Sequence, residues 1–194
     1  MRIKRIIGVG NEIAGDDAVG PAVIEALRPR RLPKNVELVS VGADALAVIE
    51  YLQQDCDAII VDAVHVGKAP GTVLTFPVER AKVTIESDAF SLHGVGLSYV
   101  LNLAEQLGLP ARVTIVGIEP ESVQPGQPMA DVVSKAIPEA VDAILNLIHA
   151  RRRRNPLPQG VLNPDCRAAC SAQGAASAPP AHEGEPDGEK SVDH

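Results

Sequence analysis

The run Ala58-Ile59-Ile60-Val61 is apolar at every position and ends on a carboxylate, Asp62. A strand with one wet face would alternate; one without alternation must be covered on both faces. That demands a sheet sandwiched between helices, and the rest of the chain supplies the parts. Ile3 to Val9 reads as a first strand. Asp17 to Leu27 reads as a helix with acidic residues at its positive end and Pro29 as its stop. Val36 to Val41 alternates as a second strand, and Ala45 to Gln53 is a second helix. After a turn at Gly67 to Gly71, the short strand Thr72 to Phe76 lies close enough to the strand before it to pair antiparallel with it. Gly94 to Leu107 predicts a helix, Ala111 to Ile118 a strand, and Met129 to Ala150 a long amphipathic helix with an irregular start or a kink at Pro138. Strands alternating with helices predict a doubly wound α/β domain with a mixed sheet.

A chain of 194 residues with 45% hydrophobic content suits one such domain plus a tail. Aromatics are only 2% and Trp is absent, so Val, Ile, Leu and Ala must fill the core. The domain is placed at residues 1–150. Residues 151–194 comprise a basic helix end, Arg151-Arg152-Arg153-Arg154, and a Pro/Gly/Ala/Ser-rich tail expected to be disordered. The arginines either answer the negative end of the helix dipole or form a binding patch. A net charge of −7 argues against nucleic acid as a partner. No stretch is long and apolar enough to cross a bilayer. Met1 to Ile7 has charges before a short apolar run, as a signal peptide does. The run then meets Asn11, Glu12 and Asp16-Asp17 without a small-residue cleavage site, so it reads as a strand. Cys56, Cys166 and Cys170 make no disulfide framework, and a cytoplasmic monomer is expected.

Three residues concentrate chemistry where strands end. Asp17 lies in Gly8-Val9-Gly10-Asn11-Glu12-Ile13-Ala14-Gly15-Asp16-Asp17-Ala18-Val19-Gly20, Asp62 closes the apolar run, and His93 stands in Ser91-Leu92-His93-Gly94-Val95-Gly96-Leu97. In an open α/β sheet, groups at the carboxyl ends of strands converge on one crevice. Two carboxylates and an imidazole there make a mixed oxygen and nitrogen site for a divalent transition metal. Blander readings stand beside this one. Asp16 and Asp17 would each contribute about 0.3–1 kcal/mol as ordinary helix-start carboxylates. Asp62 could cap a short turn, although a carboxylate ending an apolar strand must find a partner or water. A lone His is more often structural than a ligand. His65 is the rival ligand, placed in an exposed-looking turn, and Asp57 reads as a surface residue ahead of the strand. His149, His182 and His194 are C-terminal and remote.

Other chemistries fit less well. A dinucleotide fingerprint needs a third glycine where Ile13 stands, and Glu12, Asp16 and Asp17 would repel a pyrophosphate. Gly8 and Gly10 more naturally serve a tight turn and a close backbone approach, with Asn11 bonding across that turn. There is no Gly-x-Ser-x-Gly elbow and no His-Glu-x-x-His. Cys56 sits before a strand between Asp55 and Asp57, which would raise its pKa. Cys166 and Cys170 offer a Cys-x3-Cys spacing without a second pair: an inert tail, or a soft-metal site.

The Gly-x-Gly-Asn segment with Asp16-Asp17, the strand-ending Asp62, the Ser91-x-His93-Gly94 segment and the stretch Val116-Gly117-Ile118-Glu119-Pro120-Glu121-Ser122 together resemble the hydrogenase maturation endopeptidases. The resemblance covers about residues 1–150, with the motifs in order and at similar spacing. Relatives carry Glu or Asp at the position of Asp17, and often Asp or Gln where Gly94 stands. The resemblance implies a three-layer α/β/α sandwich around a mixed, mostly parallel sheet of about five strands. It implies an endopeptidase that removes the C-terminal extension of the precursor of a nickel–iron hydrogenase large subunit. It further implies that nickel arrives with the substrate and is recognised by Asp17, Asp62 and His93, other divalent metals being able to substitute. Asp16 is left as a helix cap, and no nucleophile or general base is assigned. Such a trio leaves coordination positions open, so the metal can polarise a carbonyl or acidify a bound water. Two other readings remain: a nickel-checking accessory protein that does not cut, and a nucleotide-binding α/β protein.

Overall fold

The computed structural model describes residues 2–78 and 97–150. Within them the chain forms β1 (Ile3–Val9), a 3-10 turn (Gly15–Ala18), α1 (Val19–Leu27), β2 (Val36–Gly42), a second 3-10 turn (Ala45–Ala47) and α2 (Val48–Leu52). There follow β3 (Cys56–Ala63), β4 (Val73–Pro77), α3 (Leu97–Gln106), β5 (Arg112–Ile118) and α4 (Asp131–His149). The five strands make one sheet in the order β2-β1-β3-β5-β4, parallel except for β4.

The apolar run sits where its composition requires. β3 lies between β1 and β5, and its side chains divide between two cores with a period of two. Ile59, Val61 and Ala63 join Val19, Val23 and Ile24 of α1 and the apolar face of α4. Ala58 and Ile60 join Val48 of α2 and Leu97, Val100 and Leu101 of α3. Helices on both faces of a mixed sheet give the expected three-layer α/β/α architecture.

Several local expectations need correction. β4 pairs antiparallel with β5, not with β3, from Val73↔Ile118 to Pro77↔Thr114. Both edges of β3 are already filled by parallel neighbours, so the returning chain is carried past it. Gly71 N donates to Glu119 O at 2.8 Å and Glu119 N to Thr72 O at 3.0 Å. The edge position also suits Pro77, which has no N–H to give a ladder. Asp16 and Asp17 belong to the 3-10 turn, and α1 begins only at Val19. Asp57 lies inside β3 rather than ahead of it, paired with Arg2 at 3.2 Å. The second helix opens as the 3-10 turn, with Asp44 accepting from Leu46 N at 3.1 Å and Ala47 N at 3.3 Å.

α4 runs unbroken through Pro138, its apolar face held by Val133, Ala136, Ala140, Val141, Ile144 and Ile148. The negative end of its dipole is answered by Lys4, whose Nζ donates to Leu147 O at 3.2 Å and Ile148 O at 2.5 Å. The expectations for Arg151 to Arg154 and for the tail lie outside the described residues, as does the start of the third helix at Gly94 to Gly96. No helix among the described residues is long and apolar enough to cross a membrane.

Candidate functional site at the carboxyl rim

The chain leaves β1 through α1 to reach β2 on one side, and returns through α2 to place β3 on the other. The strand order therefore reverses at β1/β3, and the crevice of an open α/β sheet opens there, beyond the carboxyl ends. All the buried carboxylates among the described residues lie at this end: Asp16, Asp17, Asp62 and Glu119. Arg5, the other buried charged residue, lies further back and is bound by Glu37 at 2.7 Å, Tyr51 O at 2.8 Å and Gln54 at 2.7 Å.

Asp17 and Asp62 flank the reversal point. Asp62, the last but one residue of β3, lies opposite Gly117 of β5 and is fully buried. Asp17 follows β1 in the 3-10 turn, whose Cα atoms come within 8 Å of β3. Two glycines let the turn approach. Gly10, at φ +139°, faces the Asp17 carbonyl so closely that a Cβ would collide with it. A Cβ on Gly20 would collide with the carbonyls of Val9, the last residue of β1, and Val61, the residue immediately before Asp62. Asp17 Oδ2 accepts from Asn11 N at 2.7 Å, and Asn11 Oδ1 accepts from Ile13 N at 3.2 Å. The amide that a glycine-rich loop would offer to a phosphate thus already answers an internal carboxylate.

Asp16 does something different from the helix cap expected of it. It is 1% exposed, and both oxygens accept main-chain N–H groups of a distant loop. Oδ2 takes Glu121 N at 2.7 Å and Ser122 N at 2.9 Å, and Oδ1 takes Ala130 N at 2.6 Å, just ahead of α4. Asp16 N donates back to Ser122 O, and Gly126 N to Ile13 O. The carboxylate clamps the β5–α4 loop onto the loop that carries Asp17.

Glu119 was not singled out by sequence reasoning beyond its place in a family-like stretch. It is 4% exposed and staples the turn after β3: Oε2 accepts Val66 N at 2.9 Å and Lys68 N at 3.1 Å, and Oε1 lies 3.2 Å from His65 Nδ1. No local pattern could have revealed this, because its partners are about fifty residues upstream. His65, the rival ligand, is therefore engaged by a carboxylate rather than idle in its turn.

His93 lies outside the described residues. Among those described, no group of three or more His, Cys, Asp or Glu side chains is arranged to hold a metal ion. What can be followed is the helix beyond it. α3 leads through Leu107–Ala111 into β5, whose first residue, Arg112, pairs with Asp57 at the amino end of β3. The helix consequently runs back from the carboxyl rim, with Leu97, four residues after His93, at its rim end. The remaining candidates sit elsewhere. His149 Nδ1 lies 2.7 Å from Leu145 O in the last turn of α4. Cys56 is buried at the opposite, amino end of the central strand β3 with its thiol pushed up. Burial is the main cause; Arg5 and Arg2 pull the thiol the other way and Asp57 adds only a little, so the expected direction holds for a different reason.

Comparison with known proteins agrees with this fold. Residues 21–147 match the family model described as hydrogenase maturation protease. The hydrogenase 2 maturation protease of Escherichia coli K12 is 32% identical over 148 residues, spanning 75% of this chain and 89% of that protein. The hydrogenase expression/formation protein HoxM of Cupriavidus necator is 30% identical over 145 residues, spanning 73% and 72%. Among solved structures, the hydrogenase maturating endopeptidase HybD from E. coli superposes with a TM-score of 0.66 at 31% identity, covering 76% of this chain and 92% of that one.

Proposed function

Because this chain belongs to the hydrogenase maturation protease family, we propose that it removes the C-terminal extension from the nickel-loaded precursor of a nickel–iron hydrogenase large subunit. In this reading nickel is cargo of the substrate, and Asp17, Asp62 and His93 recognise it. The observation that carries the proposal is that Asp17 and Asp62 are both buried at the β1/β3 reversal, where glycine-tight packing brings the Asp17 turn against the ends of β1 and β3. Hard, anionic oxygen donors with an imidazole suit a divalent ion such as nickel, and the cysteine among the described residues, Cys56, lies at the far end of β3.

Binding through so few protein ligands would be weak alone and would strengthen when the precursor brings nickel with its own donors. A nickel ion at the crevice would supply Lewis acidity toward the scissile carbonyl. The chain's own part is to place carboxylates against the cationic centre and to hold the precursor's terminal segment across the rim. Selection for loaded precursor then follows from electrostatics, since a buried carboxylate pair disfavours an empty, uncharged site.

The test is processing itself. Purified protein is incubated with nickel-loaded large-subunit precursor, and the product mass is read. Loss of a C-terminal peptide is expected with the wild type and none with His93→Ala, whose thermal midpoint should match the wild type. Normal processing by His93→Ala would remove His93 from the site. Binding of loaded precursor without any cleavage would instead make the chain a nickel-checking accessory protein.

A further inference from the structure

If the chain is the endopeptidase proposed above, peptide hydrolysis needs a group that moves a proton between water and the leaving nitrogen. Asp17 and Asp62 are assigned to the metal, and Asp16 has both oxygens held by main-chain N–H groups. Glu119 has one oxygen on two amides and the other on His65. Among the described residues, Glu119 in turn holds an imidazole at the rim. We propose that His65, oriented by Glu119, is the proton-transfer group for cleavage of the precursor.

Position and environment both fit. Val64 N donates to Ile118 O at 2.9 Å, so β3 and β5 remain paired beyond Asp62. With Asp62 opposite Gly117, the next residues on the same sheet face are Val64 and Glu119. Glu119 therefore stands one strand over and about 7 Å along from Asp62, two residues at the usual strand rise. Val64 packs over Gly117, where a Cβ would otherwise stand. His65 is 42% exposed, whereas the carboxylate behind it is 4% exposed. Of the two histidines in the described residues, His149 caps the far end of α4, which leaves His65 as the one on this rim.

The chemistry follows from the pair. An ionised carboxylate can only accept, so Nδ1 carries the hydrogen toward Glu119 and Nε2 presents its lone pair. Glu119 is itself fixed by Val66 N and Lys68 N, so the ring is held in one tautomer and orientation, and the imidazolium formed in the reaction is stabilised. As the water oxygen bonds to the scissile carbonyl carbon, Nε2 takes one proton from it. As the C–N bond breaks, Nε2 returns that proton to the leaving amide nitrogen. One water is consumed, a carboxyl group and an amine are released, and nothing is oxidised or reduced.

The experiment uses the full chain and nickel-loaded precursor in single turnover, with precursor affinity and thermal midpoint measured in parallel. His65→Gln should slow cleavage by about 100-fold or more, the usual weight of general acid–base catalysis, while affinity and midpoint stay near wild type. Added imidazole should partly restore His65→Ala, which a merely structural histidine would not allow. Wild-type cleavage by His65→Gln, or slow cleavage that imidazole does not rescue in His65→Ala, overturns the assignment and hands proton transfer to another rim group such as Glu12. Loss of precursor binding in His65→Gln overturns it too. The two levels of the account separate cleanly: if wild type itself does not cut, the proposed function fails; if wild type cuts and His65→Gln cuts equally, only the role of His65 fails.

Discussion

Asp16 and Asp17 are neighbours in the chain, both nearly inaccessible and both in the same 3-10 turn, yet they face different work. Asp16 gathers three amides from a loop more than a hundred residues away and acts as a clamp. Asp17 accepts the Asn11 amide of its own loop and lies at the strand reversal beside β3. The contrast repeats one strand pair over, where Glu119 staples the turn after β3 and Asp62 is the last but one residue of the strand itself. Burial alone therefore does not mark a functional carboxylate. What differs is where the bonded N–H groups come from: Asp16 and Glu119 each tie down a segment remote in sequence, whereas the Asn11 amide on Asp17 belongs to its own loop.

The contrast breaks most visibly in activity. Asp62→Asn and Asp17→Asn preserve shape and remove charge, and each should reduce precursor processing to below about a hundredth of wild type, the scale on which single electrostatic groups act. Thermal midpoints should stay close to wild type, and Asp17→Glu should retain more activity than Asp17→Asn. Unchanged processing in either Asn variant would take that residue out of the ligand set.

Asp16→Ala should do the reverse and act on stability first. It strands three part-buried amides, each formerly in a charge-assisted bond, for a loss of about 3 kcal/mol in urea denaturation. At roughly 2–4 °C per kcal/mol for a chain of this size, the midpoint should fall by about 6–12 °C. A midpoint equal to wild type would mean that the β5–α4 loop does not depend on the clamp.

Gly10→Ala sharpens the packing side of the comparison. Its φ of +139° and the collision with the Asp17 carbonyl should cost about 2 kcal/mol and displace the turn that carries Asp17. Processing should fall along with stability. A stable, fully active variant would show that the close approach of the turn to β1 is dispensable.

The smallest effect lies at the amino end of the central strand β3. The Cys56 thiol is raised chiefly by burial, so above about pH 8.5 the unfolded chain loses its proton before the folded one does. The folded state then holds more protons, and stability should fall shallowly as pH rises through this range, while Cys56→Ala flattens that part of the curve. Identical curves for the two proteins would show that the thiol titrates alike folded and unfolded.

Much of the architecture was legible because burial on both faces leaves a direct trace. The unalternating Ala58–Val61 run sits mid-sheet, and the strand–helix alternation gave the three layers. The pairing of β4 was not legible, since proximity in sequence favours β3, and only the filling of both β3 edges sends Val73–Pro77 to β5. At the rim, strand-end position marked Asp17 and Asp62. Asp16 could be misread as a helix cap because a cap and a long-range clamp look alike in one sequence. The Glu119–His65 contact spans fifty-four residues and leaves no local pattern.

The measurement that tests the central claim most directly is cleavage of paired precursor preparations, nickel-loaded and nickel-free, by enzyme first treated with a chelator and then freed of it. Substrate-borne recognition through Asp17, Asp62 and His93 predicts that the treated enzyme cuts the loaded precursor at its untreated rate and leaves the nickel-free precursor intact. Efficient cutting of nickel-free precursor, or permanent loss of activity after chelation, would contradict it and assign the metal to the protease itself.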